Sequence, residues 1–253
     1  MKKESIASHT LFSGEQKPDK TLMLENEIPG ATVFYHAVGV NSKINFPPDS
    51  GYIRILFLCC GNAVFRCGDA EFTYDERSFF CAMPEARVDF ETGCGAGLLE
   101  IRRKLDEKDL AELAINAGHF PITGLYAKSP QYRDPFKSEK TISRSIIHQR
   151  LIPRFAMGSV ETHGEDLIGQ HSHPLLEQFF FSFSENNMIL LIDDLIYHMK
   201  GNTLLHIPLG SNHGVAVLDN QHAHYLWLDF LLSPDGLDYL DSTHKPTGSI
   251  RAF

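Results

Sequence analysis

The segment Gly164-Glu-Asp-Leu-Ile-Gly-Gln-His171-Ser-His173-Pro-Leu-Leu-Glu177-Gln178 carries a His-x-His pair with a Glu four residues beyond the second His. Residues two apart on a β-strand point to the same face, so a strand here presents two imidazoles side by side. Glu177 has the same parity and is expected to face the same interior after a bend. Two neutral imidazoles and a carboxylate suit a borderline divalent ion. The distribution of histidine draws attention to this region, because 9 of the 13 lie after residue 160.

A third imidazole is available downstream. Gly201-Asn-Thr-Leu-Leu-His-Ile-Pro208-Leu-Gly210-Ser-Asn-His213 reads as a strand, a Pro-x-Gly turn and then His at the start of the next strand. The expected metal ligands are therefore His171, His173, Glu177 and His213, holding one divalent ion of Fe, Mn, Ni, Co or Zn.

Together the two segments resemble the two motifs of the cupin superfamily. The first motif is Gly, five residues, His-x-His, three or four residues, Glu, six residues, Gly. The second is Gly, five residues, Pro-x-Gly, two residues, His, three residues, Asn. By resemblance, His171, His173 and Glu177 take the first-motif ligand places and His213 the fourth. Several spacers depart from the pattern. Six residues separate Gly164 from His171, and six separate Gly201 from Pro208. Ser184 stands where the glycine after Glu is expected, and Val217 stands where the closing Asn is expected. These changes touch turns and leave the ligands in place. The resemblance covers residues 145–232 by motif and residues 32–102 by strand pattern alone. It implies an all-β chain of two double-stranded β-helix (jelly-roll) barrels, a bicupin, with a short helix and linker between them.

Working outward, residues 1–30 are polar, broken by Pro18 and Pro29, and expected as an amino-terminal arm. Residues 31–102 read as short strands, including Tyr52–Leu58, Ala63–Arg66, Ala70–Tyr74 and Arg77–Met83. Residues 103–144 read as a helix with Leu105, Leu110, Leu113 and Ala114 at helical spacing, ending near Gly118, and then a proline-rich linker. Residues 145–253 form the second, metal-binding barrel with a tail. His36 is the only histidine between residues 32 and 102, so the first barrel is expected to hold no metal and to supply interface, stability or a second pocket.

Other candidates follow from parity. Phe179, Phe181 and Val215 are expected to line the pocket, while Phe183 belongs to an aromatic core. On the last strand Tyr225, Trp227 and Asp229 share one face and His222, His224 and Leu226 the other, and either face could point inward. Catalytic candidates near the metal are Glu177, Tyr225, His222 and His224. His222-Ala-His224 is a second His-x-His, but Leu228 stands where a matching Glu would fall, so a surface or supporting place is expected. His206 is expected to be packed or hydrogen-bonded, and His163 and His198 to be exposed.

The formal net charge of −9 disfavours nucleic acid and anionic lipid as partners. No apolar stretch is long enough to span a bilayer, and the amino terminus lacks the apolar run of a secretory signal. The five cysteines form no Cys-x-x-Cys pair and are expected as buried, reduced thiols of a cytoplasmic protein. The expected partner is a small-molecule ligand or substrate, and a homodimer is compatible with the sequence. The ligand set favours a metal-dependent enzyme of dioxygenase, isomerase or lyase type acting on a small polar metabolite. The alternative is a non-catalytic binding or sensing cupin.

Overall fold

The structure is a computed structural model that describes residues 6–11, 19–173 and 175–252. Parts of the expected amino-terminal arm, including Pro18, lie outside the described residues, as does Pro174. The strands are β1 (Ser8–Thr10), β2 (Asp19–Met23), β3 (Ala31–Val38), β4 (Ser42–Phe46), β5 (Tyr52–Gly61), β6 (Ala63–Cys67), β7 (Ala70–Tyr74), β8 (Ser78–Cys81), β9 (Val88–Thr92), β10 (Ala96–Lys104) and β11 (Ile122–Leu125). They continue as β12 (Gln131–Arg133), β13 (Ile142–Ile152), β14 (Phe155–His163), β15 (Asp166–His171), β16 (Leu176–Ser182), β17 (Asn187–Ile192), β18 (Leu195–Lys200), β19 (Thr203–Ile207), β20 (His213–Val217), β21 (His222–Leu231) and β22 (Lys245–Pro246). Two α-helices are described, α1 (Glu107–Ile115) and α2 (Asp235–Thr243).

The chain divides into two compact units, residues 12–128 and residues 1–11 with 129–253. Each is a jelly-roll barrel. In the first, the sheet β11-β8-β5-β10-β3-β2 faces the sheet β4-β9-β6-β7. Its interior is aromatic: Phe65 stacks on Phe80 at 4.9 Å and meets Phe90 at 5.4 Å. His36 is buried against Glu100, whose carboxylate also meets Arg54 and Lys20. Burial works against the charge of Glu100, yet these three partners hold its pKa down to about 2. Helix α1 starts where Asp106 and Asp109 cap each other's backbone N–H groups, a capping box that fixes its first turn.

In the second unit, one sheet runs β1-β19-β16-β21-β14-β13-β12-β22 and the other is built from β15, β20, β17 and β18. The inward residues follow the period of two. Val160, Leu176, Phe180, Tyr225 and Trp227 meet Ile168, Leu190 and Val215 in one buried cluster. Gly158 on β14 is what lets the Trp227 indole lie flat across the sheet. A Cβ there would sit 2.2 Å from Trp227 Cζ2 and 2.2 Å from the Arg144 carbonyl oxygen. Gly158→Ala is therefore expected to destabilise the chain by about 1–3 kcal/mol, the usual cost of overpacking. Urea unfolding followed by Trp227 fluorescence measures this, and an unmoved midpoint would refute it.

Several boundaries differ from the expectation. Ser8–Thr10 is a strand that pairs with β19, and Asp19–Met23 pairs with β3, so the arm contributes to both barrels. The expected linker contains β11, paired with β8, and β12, paired with β13, and the second barrel starts before residue 145. The proline-rich composition hid these strands, which are only three or four residues long and too short to show an alternating pattern. All five cysteines are free thiols, and Cys59 and Cys81 are buried as expected, but Cys60 and Cys94 are exposed. No described helix is long and apolar enough to cross a membrane.

Candidate metal centre

Strand β15 ends on His171, and β20 begins on His213. A bulge after Ile168 brings these two residues directly opposite each other across the pair. His173 follows in the loop that leaves β15, and its carbonyl oxygen accepts from the Gly210 N–H at 3.3 Å. Gly210 has a φ of +72°, which the Pro208–Gly210 turn requires. That bond ties the two sequence segments together. The imidazole centroids of His171, His173 and His213 lie 4.7–5.3 Å apart, and one donor atom from each falls within 4.8 Å of the others.

The tautomers suit ligation. His171 Nδ1 lies 2.8 Å from the Gly169 carbonyl oxygen and His213 Nδ1 lies 3.2 Å from that of Ser211. Donation from Nδ1–H leaves each Nε2 as an electron-pair donor. His173 Nδ1 is buried and has no hydrogen-bond partner among the described residues. Phe136 stacks on His171 at 4.4 Å, and Tyr239 of α2 meets His173 edge-on at 5.5 Å, which fixes both rings. Burial first, and the neighbouring imidazoles second, lower the His173 pKa to about 2 and that of His213 to about 4. The rings are therefore neutral at physiological pH, the state a metal requires.

Glu177 does not join this group. Its carboxylate lies 2.8 Å from His206 Nε2, on the opposite face of β16. The expectation assumed that strand parity runs on from His171. The chain instead leaves β15 at His171 and enters β16 at Leu176, and the intervening loop resets the alternation. Gln178 takes the inward place, one residue later, within the three-or-four spacing of the family motif. Its Nε2 donates to Asp229 Oδ1 at 2.6 Å, and its Oε1 is buried with no partner. The same shift turns Phe179 and Phe181 away from the pocket: Phe179 packs on His206 and Phe230, and Phe181 on Phe183. Phe180 and Val215 line the pocket. Tyr225 also lines it, whereas His222 and His224 lie on the other face of β21.

The sequence reading missed the rest of the lining. Tyr132, Asp134 and Lys137 come from the segment read as linker, and His244 from the tail. The Lys137 ammonium sits 3.0 Å from the Asp134 carboxylate and 3.3 Å from the Tyr132 hydroxyl. Burial opposes its charge, but Tyr132 and Asp134 together keep its pKa raised. Asp229 is fully enclosed, and burial lifts its carboxyl to about 7 despite the Gln178 hydrogen bond. The only forewarning was an acid–base pair spaced i, i+3 in Asp134-Pro-Phe-Lys137. The cavity itself is small, about 30 Å³, room for an ion and very little more.

No protein-family model matches the chain, and no curated protein sequence matches it. Solved structures do. A protein from Pseudomonas aeruginosa superposes with a TM-score of 0.70 at 10% identity, over 84% of this chain and 80% of its own. The formate complex of Lactobacillus farciminis oxalate decarboxylase gives 0.67 at 11% identity, over 94% and 91%. A cupin 2 conserved barrel domain protein from Leptotrichia buccalis gives 0.57 at 12% identity, over 90% and 98%. Identities this low speak for architecture alone. What the likenesses show is the fold: a jelly-roll barrel in each half of the chain, the two-barrel architecture of the structures it superposes on.

Proposed function

We propose that the second barrel holds one divalent metal ion on His171, His173 and His213, and that the chain is a metal-dependent enzyme acting on a small polar metabolite. The observation that carries this reading is the convergence of three neutral imidazoles from two separate segments, with His173 Nδ1 buried and unpartnered. A buried polar atom without a partner costs free energy, and a bound ion would remove that cost. Fe, Mn, Ni, Co and Zn all suit three imidazoles with an oxygen donor. The neutral amide oxygen of Gln178, which lines the same cavity and has no hydrogen-bond partner among the described residues, is the candidate for that oxygen in place of the expected carboxylate. A metal held there supplies Lewis-acid polarisation of a substrate oxygen.

The remaining roles belong to the chain's own side chains. Trp227, Phe180 and Val215 exclude water and hold a small ligand. Asp229, with a pKa lifted to about 7, can hold or release a proton at its carboxyl near neutral pH, the property wanted of a general acid or base. Isomerase and lyase chemistry use such a group beside a polarised oxygen. The cavity favours substrates of a few heavy atoms.

The test is metal-dependent loss of a metabolite when the purified, metal-loaded protein is incubated with a panel of small carboxylates and hydroxy-carbonyl compounds. Asp229→Asn is expected to cut turnover by roughly 10²-fold or more, in line with removal of a general acid or base, while metal content stays unchanged. If no compound is consumed and one co-purifies instead, the chain is a sensing module. If metal content also proves negligible, the pocket reading fails altogether.

A further inference from the structure

A second group of donor side chains lies on the face of β14 and β21 that points away from the pocket. The two strands pair antiparallel with Glu161 opposite His224 and His163 opposite His222. The period of two puts all four side chains on one face, while Val160 and Tyr225 take the other. His163 and His222 stack with centroids 3.6 Å apart and planes 25° from parallel. One Glu161 oxygen accepts from Arg144 at 2.8 Å. The other, Oε1, lies 3.6 Å from His163 Nε2 and 3.9 Å from His222 Nε2.

We propose that Glu161, His163 and His222 form a second site for a borderline divalent cation such as Zn(II). Donor atoms of the three fall within 4.8 Å of one another. Two ligands bound at about 2.0–2.1 Å to a tetrahedral ion sit roughly 3.4 Å apart, close to the 3.6 and 3.9 Å from Glu161 Oε1 to the two Nε2 atoms, and the stacked rings would have to tilt apart to aim both Nε2 lone pairs at one ion. His222 Nε2 is a buried atom with no hydrogen-bond partner among the described residues, a donor the sheet leaves over. The His163 side chain is 43% exposed, which gives an ion a way in and a place for completing water. Arg144 on Glu161, and His224 with Glu185 at 2.7 Å beside it, hold the carboxylate in place in the way outer partners orient metal ligands. The second His-x-His of the sequence is thus split, with His222 a ligand and His224 a support. The missing Glu is supplied across the ladder by Glu161 instead of from residue 228. This site is independent of the pocket and would stand if the pocket bound nothing.

Zn(II) alone is added to the full chain, unbound metal is removed by gel filtration, and bound zinc is counted by atomic emission. The parent chain should retain two equivalents, His163→Ala/His222→Ala one, and His171→Ala/His173→Ala one. A parent chain that retains one equivalent, lost in His163→Ala/His222→Ala, would uphold this site and sink the pocket. Equal zinc in the parent and His163→Ala/His222→Ala overturns the proposal. Should that double variant lose its β-sheet circular dichroism, His163→Asn at the exposed position replaces it. The replacement is read by the same count: loss of one equivalent supports the site, and no loss overturns it.

Discussion

With His163→Ala/His222→Ala as the background, so that the pocket alone is counted, His173→Ala is expected to lower bound metal by about tenfold or more while the β-sheet signal in circular dichroism survives. Losses of roughly 10–100-fold already follow when only a supporting partner of a ligand is removed, so loss of a ligand sets at least that floor. His173 is the informative choice because its ring meets both other imidazoles and its Nδ1 is the donor without a protein partner. Glu177→Gln in the same background should leave metal content where it was. That carboxylate is engaged with His206 on the far face of β16, and the amide keeps its shape and an acceptor oxygen. Metal emission on gel-filtered protein reads both variants. Retention of metal in His173→Ala would remove His173 from the site, and loss of metal in Glu177→Gln would restore the carboxylate that the sequence motif assigned as a ligand.

The contrast between Glu177 and its neighbour shows where a sequence is legible and where it stops. His171, His173 and His213 were readable because each is placed by a local rule: two residues on one strand, and one residue just past a Pro-x-Gly turn. Glu177 required parity to be carried from one strand into the next, and a break between strands can add or remove half a period without any mark in the sequence. One slipped residue then moved Glu177, Phe179 and Phe181 to the other face together, since alternation is rigid once a strand begins. Tyr132, Asp134, Lys137 and His244 were invisible for a different reason. They reach the pocket from an edge strand, a turn and the carboxy-terminal tail, whose positions are set by tertiary packing and not by any periodic signal. The double barrel itself was legible because turn residues at regular intervals mark strands whatever their order.

Metal-free protein is expected to lose stability as the pH falls from about 7 to about 4, and the sign follows from the pocket histidines. In the unfolded chain each histidine takes up a proton near its ordinary 6.5; in the folded chain burial and neighbouring imidazoles hold His213 at about 4 and His173 at about 2, and burial with the Lys137 ammonium holds His244, beside Tyr132, at about 3. Below 6.5 the unfolded state therefore binds more protons, and the unfolding free energy falls with pH until the folded-state values are reached. Asp229 works the other way. Its carboxyl, lifted from 3.8 to about 7, makes the fold less costly as it is protonated over the same range. The opposition is unequal, because one raised carboxyl stands against three depressed imidazoles with shifts of similar size. At roughly 1.4 kcal/mol per pKa unit, and with the histidines partly duplicating one another's effect, a net loss of a few kcal/mol is expected. That is a large part of the 5–15 kcal/mol typical of a folded domain. Urea midpoints of chelator-treated protein at pH 7 and pH 5 measure it, and His213→Gln should flatten the difference by removing one of the depressed groups. A midpoint that holds steady or rises on acidification would mean that the three imidazoles are not crowded together in the barrel interior.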